Sequence, residues 1–223
     1  MPALPKVIYV MGPPGAGKGT QAEMLARKIS YHRFSTGDAF RSVARRNTEL
    51  GQKIKALIDN GYLAPPALAA EIVIAAIKEF VAGGQGLVFD GTPRTREEAA
   101  VVDAFFAEHG YGKPLVLWLT VDKEEMMRRN AKRKFCLGIA GDFPIVTEAD
   151  QQRCRERGGH IGVRPDDEPE KFAARWQQFQ DRTLPVIEQY KREGILHELD
   201  GFKSIEAVHD DIMTIITSRQ QGV

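Results

Sequence analysis

The run GPPGAGKGT, residues 12–20, directly follows the apolar stretch VIYVM, residues 7–11. Gly12, Gly17 and Lys18 stand at the spacing G-x-x-x-x-G-K, with Gly15 inside it. Glycines admit backbone angles closed to other residues, so successive N–H groups can point into one concavity. A helix has to follow, because its positive N-terminal end completes the anion nest. Residues 17–29 meet that demand: Ala22, Leu25, Ala26 and Ile29 recur on one helical face. Residues 6–11 read as a buried strand, ended by Gly-Pro-Pro. Strand, glycine turn and helix together predict a site for phosphates, with Lys18 reaching the β- and γ-phosphates as a point charge. Pro13, Pro14 and Ala16 complete the turn. The usual motif has Ser or Thr directly after the lysine, to ligate Mg2+. Here Gly19 stands there and the hydroxyl comes one residue later, on Thr20.

Further apolar runs at 86–89, 114–121 and 195–199 are followed by Asp90, Asp122 and Asp200. Helical patterns at 68–81, 96–109 and 168–192 lie around them. Strands alternating with helices predict an α/β fold, a parallel sheet of the P-loop NTPase type with helices on both faces. Two stretches break the alternation. Residues 35–66 read as helical with no strand, and residues 134–167 are polar, turn-rich and long for a loop, as inserted lobes or lids are. A chain of 223 residues, 43% hydrophobic, can build one core with such small additions. With 31 basic against 30 acidic residues, a nucleic-acid partner is not expected, even though RRNAKRK (128–134) is strongly basic. No stretch reaches membrane length without charges. Two cysteines give no disulfide framework and suit a reducing compartment, so a cytoplasmic protein is expected.

GPPGAGKGT taken with STGDAFR (35–41) and FDGTPRT (89–95) resembles the adenylate kinase family of nucleoside monophosphate kinases, in its long-lid form. The resemblance runs on to LDGFKS (199–204), nearly the whole chain. It implies reversible transfer of the γ-phosphoryl group of MgATP to AMP. It also implies a core (1–34, 67–133 and 168–223), a monophosphate-binding lobe (35–66) and a mobile lid (134–167). By the same resemblance Gly12, Pro13, Pro14, Gly15, Ala16, Gly17, Lys18, Gly19 and Thr20 hold the ATP phosphates. Thr36, Gly37, Arg41, Leu63, Ala64, Gly91 and Arg94 hold the acceptor, and Asp38 and Asp90 act on Mg2+ through water. Arg129 packs on the ATP base and Arg133 meets the phosphates; standing four apart, the two share one helical face. Arg164 and Arg175 close on the transferring group, Asp166 and Asp167 position arginines or hinge the lid, and Lys203 meets the ATP base mainly through backbone. Lys18, Arg94, Arg133, Arg164 and Arg175 are the catalytic set. ATP and a nucleoside monophosphate are the expected partners of a monomer. The chemistry agrees with such a list: phosphoryl transfer needs alignment, charge neutralisation and exclusion of water, and guanidinium groups grip phosphate oxygens in a fork. The acceptor's own phosphate oxygen is the nucleophile, so no general base is needed and the five histidines are spare. An Asn-Lys-x-Asp base-reading motif, expected of a guanine-nucleotide switch, does not occur.

The chain departs from the family pattern in two places. Some long lids carry four zinc ligands, often as two Cys-x-x-Cys pairs. Cys136 and Cys154 fall at two of those places, but Ile139 and Arg157 occupy the others. Two thiolates do not close a tetrahedral site. Zinc is therefore not expected, and neither is a disulfide; packing and hydrogen bonds are expected to hold the lid. The second departure is Glu98, where the family has a base-reading glutamine, with Thr92 in place of a phenylalanine. An amide suits adenine, offering one donor and one acceptor. An ionised carboxylate offers acceptors only and suits guanine's N1–H and N2–H2, making GMP the alternative acceptor. Otherwise Glu98 faces solvent, or accepts only from adenine N6 while water serves N1.

Overall fold

The computed structural model describes residues 4–139, 142–164 and 167–221. In chain order the elements are β1 (Val7–Met11), α1 (Lys18–Ile29), β2 (His32–Ser35), α2 (Thr36–Ala44), α3 (Glu49–Asp59), α4 (Pro66–Ala82) and β3 (Leu87–Asp90). There follow α5 (Arg96–Glu108), β4 (Leu115–Thr120), α6 (Lys123–Lys132), β5 (Lys134–Leu137), β6 (Phe143–Ile145), α7 (Glu148–Glu156) and β7 (His160–Gly162). The chain finishes with α8 (Pro169–Gln178), α9 (Leu184–Arg192), β8 (Leu196–Asp200) and α10 (Ile205–Gln221).

Five strands form one parallel sheet in the order β2-β3-β1-β4-β8. The period-2 pleat of β1 sorts its apolar residues onto two faces. Val7, Tyr9 and Met11 enter a cluster with Val73 and Ile77 of α4, Val102 and Phe106 of α5 and Ile187 of α9. Ile8 and Val10 enter the opposite cluster with Leu25 of α1 and Ile212 of α10. A sheet buried on both faces needs strands without polar alternation, which explains the unbroken apolar run at the chain's start. A half-buried carboxylate borders this packing: Asp103 accepts from the hydroxyls of Tyr9 at 2.7 Å and Tyr190 at 2.8 Å, tying β1, α5 and α9 together. The chain builds β2 and β3 on one side of β1 and β4 and β8 on the other, so a crevice opens at the carboxyl ends of the strands.

Two sequence expectations gain detail. The pattern at 168–192 is helical without a gap from Pro169 to Arg192, but α8 and α9 are joined through a π-helical stretch at Phe179–Thr183, just ahead of Pro185, which has no N–H to donate. The 134–167 stretch contains a small antiparallel sheet, β6-β5-β7, with α7 packed beside it.

The expectation of no disulfide is overturned. The sulfurs of Cys136 on β5 and Cys154 on α7 are bonded at 2.09 Å, and both residues are fully buried. The compartment rule concerns average redox conditions, whereas here a strand and a helix place the two Cα atoms 5.5 Å apart. Gly159 makes room for the pair, since a Cβ there would stand 2.4 Å from the Cys136 sulfur. The bonded sulfurs also leave no thiolate for zinc, and among the described residues no group of three or more His, Cys, Asp or Glu side chains is placed to hold a metal. The bond closes 18 residues of chain, a loop whose closure entropy is about 3 kcal/mol. The double variant Cys136→Ser/Cys154→Ser is expected to lose a similar amount locally. Hydrogen exchange should speed up across residues 134–162 and stay unchanged in β1 and β4.

Candidate active site

The glycine turn sits at the carboxyl end of the central strand. Gly12 passes so near β4 that a Cβ would lie 2.7 Å from the Leu119 carbonyl oxygen, and Gly17 caps α1 at φ 91°, a left-handed angle that favours glycine. Lys18 opens α1 and donates from Nζ to the Pro13 carbonyl at 2.8 Å, which folds its ammonium back over the turn. Burial brings this lysine down to about 7; Asp90 opposes the shift, and Arg94, Arg175 and Arg133 reinforce it. A phosphate placed in the turn reverses that balance.

The ends of β2 and β3 supply the next side chains. Ser35 caps α2 by accepting from the Asp38 N–H at 3.3 Å, which fixes the helix start and turns Thr36, Asp38 and Arg41 toward the crevice. The Thr36 hydroxyl is hydrogen-bonded to that of Thr92. Arg41 donates to Asp38 at 2.6 Å. Burial would raise the Asp38 carboxyl, but the charges of Arg41 and Arg33 and its hydrogen bonds hold it below the usual carboxylate range. After β3, Arg94 donates from Nε to the Gly91 carbonyl at 2.7 Å, and its own carbonyl accepts from Thr183 at 3.0 Å.

Asp38 and Asp90 present carboxylate oxygens beside the turn, the hard donors that magnesium takes. The turn lies against Asp90 so closely that a Cβ on Gly19 would stand 2.9 Å from Oδ2. These residues fit a magnesium ion arriving with a nucleotide. Arg33 of β2, which the sequence reading passed over, also reaches Asp90, at 3.1 Å.

The third group surrounds the small sheet. Arg133 caps α6 in an extended conformation and donates to both carboxylate oxygens of Asp167, at 2.7 Å. Arg175 of α8 donates to Asp167 at 2.6 Å. Burial alone would raise the Asp167 carboxyl, but the two arginines outweigh it and hold the group below its usual range. Asn130 anchors the same residue by donating to its carbonyl at 2.7 Å. Phe135 of β5 underlies two cations, with Arg164 at 3.6 Å and Arg133 at 4.7 Å from its ring centroid. Asp142 lies 3.9 Å from both Arg41 and Arg164 and 3.8 Å from Arg45, so it links the small sheet's loop to the helical lobe.

These groups line one cavity of about 900 Å³. Lys18, Arg41, Arg94, Arg133, Arg164 and Arg175 all face it. So do Gly12, Pro14, Gly15, Gly17, Gly19 and Thr20 of the turn. Thr36, Gly37, Asp38, Leu63, Ala64, Asp90, Gly91 and Glu98 complete the expected set within it. Pro13 and Ala16 belong to the turn but do not line the cavity. Arg129 and Lys203 also lie outside its wall. Arg129 donates to Glu125 at 2.6 Å and to the Gly201 carbonyl at 2.7 Å, while Lys203 pairs with Asp211 at 2.7 Å. The expectation that Arg129 and Arg133 share a helical face fails, because α6 stops at Lys132 and Arg133 already follows the path into β5. Asp166 lies outside the described residues. Arg33, Phe135 and Asp142 face the cavity without having been singled out for it. An isolated basic or aromatic residue carries no motif; only the strand alternation at 32–35 could have pointed to Arg33.

Glu98 does not face solvent. It is buried, 2% exposed, and lines the cavity. Its Oε2 accepts from the Arg94 N–H at 2.9 Å, while Oε1 is buried with no hydrogen-bond partner. Burial raises this carboxyl above its ordinary value, against the opposing pull of the Arg94 N–H and charge and of the Thr92 hydroxyl.

Comparison with known proteins agrees with this geometry. The family model described as adenylate kinase matches residues 10–195. The chain belongs to the adenylate kinase family. It is 34% identical over 214 residues to an adenylate kinase of Desulforamulus reducens, covering 94% of this chain and 99% of the relative. It is 36% identical over 203 residues to one of Salinispora tropica, covering 90% and 93%. A third, from Chloroherpeton thalassium, is 35% identical over 217 residues, covering 95% and 98%. The chain is accordingly a nucleoside monophosphate kinase, a phosphotransferase that uses ATP. No helix among the described residues is long and apolar enough to cross a membrane.

Two measurements test the electrostatics. Lys18 is mostly neutral in the empty protein above pH 7 and becomes charged against a phosphate, so nucleotide binding takes up a proton and weakens as pH rises. Calorimetry at pH 8 in buffers of different ionisation enthalpy should show uptake of roughly one proton, abolished in Lys18→Met. Asp167→Asn releases Arg133 and Arg175 together; if both act in phosphoryl transfer as the sequence leads one to expect, turnover should fall on the order of 100-fold. Because the Asp167 carboxyl is depressed in the fold, its support is present at neutral pH and lost as pH falls through that value. The variant should therefore unfold at a less acid-sensitive midpoint.

Proposed function

We propose that the protein transfers the γ-phosphoryl group of MgATP to AMP, reversibly. One observation carries this reading: Lys18 and Arg41, Arg94, Arg133, Arg164 and Arg175, from separate parts of the chain, face one cavity. In the proposal the turn from Gly12 to Thr20 holds the donor phosphates through backbone N–H groups, and Lys18 adds a point charge. Thr36, Arg41 and Arg94 hold the acceptor's phosphate between the core and the lobe of residues 35–66. Arg133, Arg164 and Arg175 meet the group in flight, brought there by the lid of residues 134–167. Asp38 and Asp90 would hold magnesium through water, and the ion would neutralise charge on the donor phosphates. Closure of lobe and lid excludes water, which would otherwise accept the phosphoryl group. Arg129 and Lys203, beside the Gly201 loop, border the expected place of the ATP base from outside the cavity wall. A monomer working in the cytoplasm is the setting that goes with this reading.

A second reading rests on Glu98. In its ionised form the buried Oε1 is an acceptor lacking a donor, as guanine's N1–H and N2–H2 would supply. In its neutral form the same carboxyl offers one donor and one acceptor, like an amide, and suits adenine. GMP is thus an alternative acceptor, and the protonation state of one side chain decides between the two.

A panel of AMP, GMP, CMP and UMP with MgATP measures the acceptor directly; strict AMP turnover at every pH would remove the second reading. Because Glu98 is raised, the ratio of kcat/KM for AMP over GMP should fall as pH rises through its titration. Glu98→Gln should abolish that dependence and favour AMP. Arg94→Ala and Arg133→Ala each remove charge stabilisation in the transition state, so turnover should drop by roughly 100-fold or more. Unchanged turnover for Arg133→Ala would refute the role given to the lid.

A further inference from the structure

The pleat of β2 sends alternate side chains to opposite faces. His32 stacks on Phe80 at 3.8 Å between ring centroids, and Phe34 joins the cluster beneath α4 and α5. Arg33 therefore points to the opposite face, where α1 begins. There its guanidinium donates to Asp90 Oδ2 at 3.1 Å and lies 3.9 Å from Asp38 and 3.8 Å from Glu23. The side chain is 27% exposed, against 19% for Asp90 and 31% for Asp38, so the group is set in the cavity wall. Gly19 makes the space: a Cβ there would stand 3.5 Å from an Arg33 terminal nitrogen as well as 2.9 Å from Asp90 Oδ2. A cationic side chain thus sits between the two carboxylates assigned above to magnesium and touches the one nearer the glycine turn.

We propose that Arg33 is a resident counter-ion of Asp90, a positioning residue that a divalent cation must displace or share in order to reach the acid pair. The inference rests on the reading of Asp38 and Asp90 as the magnesium acids. The guanidinium is a permanent cation with directional donors, so it keeps the Asp90 carboxylate aimed at the turn while no metal is there. It also lowers the pair's attraction for a bare divalent ion. The metal then enters with the donor's phosphates, whose oxygens add the negative charge that the acid pair, shared with Arg33, does not offer alone.

The probe is Mn2+ alone, added to the nucleotide-free full-length protein and followed by electron paramagnetic resonance of the free ion. Arg33→Gln and Arg33→Met are each expected to bind Mn2+ at least ten-fold more tightly than the parent. Arg27→Gln makes the same change in net charge, but Arg27 pairs with Glu23 at 2.7 Å rather than with Asp90, and it should leave Mn2+ binding as it was. Adding Asp90→Asn to Arg33→Gln should remove the gain. Equal Mn2+ affinity in parent and Arg33 variants, including no binding in any of them, overturns the proposal. So does a gain that Arg27→Gln reproduces or that survives Asp90→Asn. Circular dichroism melts establish that the variants compared are folded. Turnover of MgATP with monophosphates tests the phosphotransfer reading separately, so its failure and the failure of the Arg33 proposal are told apart.

Discussion

Several cations must share one small cavity here without forcing it apart, and most of the local architecture answers that demand. Two guanidinium groups about 6 Å apart repel by about 3 kcal/mol at an effective dielectric constant near 20. Lys18, Arg41, Arg94, Arg133, Arg164 and Arg175 multiply that repulsion around a single space. Carboxylates drawn from the surrounding elements offset it. Asp38 holds Arg41 from the first turn of α2, and Asp167 holds Arg133 and Arg175 from the exit of the small sheet. Asp142 approaches Arg41, Arg45 and Arg164 together. Of these three, Asp167 is buried and bonded by two arginines, so it fixes geometry, whereas Asp142 stands 3.8–3.9 Å from its arginines and mainly balances charge.

The scaffold makes this concentration of charge tolerable by keeping it at one edge. Both faces of the five-stranded sheet are filled by apolar residues sorted by the pleat, and the cations appear only beyond the carboxyl ends of the strands. The half-buried Asp103 carboxylate lies at the margin of one face, and two tyrosine hydroxyls satisfy it. Desolvating charge is costly unless it is paired, so a cavity open to incoming phosphates suits these side chains better than the core does.

How much of this could be read in advance depended on whether a residue's role was local. The glycine turn was legible because its backbone angles, the preceding strand and the following helix are dictated within about twenty residues. The arginines were legible only through the order of three motifs. β2 was not foreseen, since HRFS has little apolar character; its polar residue Arg33 faces the cavity, and His32 is half-buried, stacked on Phe80. The helix over 168–192 was legible from its periodicity, but the π-helical stretch at Phe179–Thr183 inside it was not, because the missing N–H of Pro185 does not by itself say how the helix adjusts. The Cys136–Cys154 bond depends on how a strand and a helix meet 18 residues apart, and no composition rule contains that. Arg129 and Arg133 were paired by helical spacing, which holds only while the helix lasts; α6 ends one residue too soon.

The same burial acts in opposite directions on two of the cavity's groups. It lowers the Lys18 ammonium and raises the Glu98 carboxyl, so each is driven toward neutrality in the empty protein. A space that penalises isolated charge in this way strengthens the attraction between charges once they are paired, because little water remains to screen them. In the proposed function, phosphate in the glycine turn would restore the lysine's charge, and a base with suitable donors would stabilise the carboxylate. Recognition would then be a matter of completing pairs that the protein leaves half made. The arginines differ because a guanidinium stays ionised throughout, and so the fold has to supply carboxylates for them in advance.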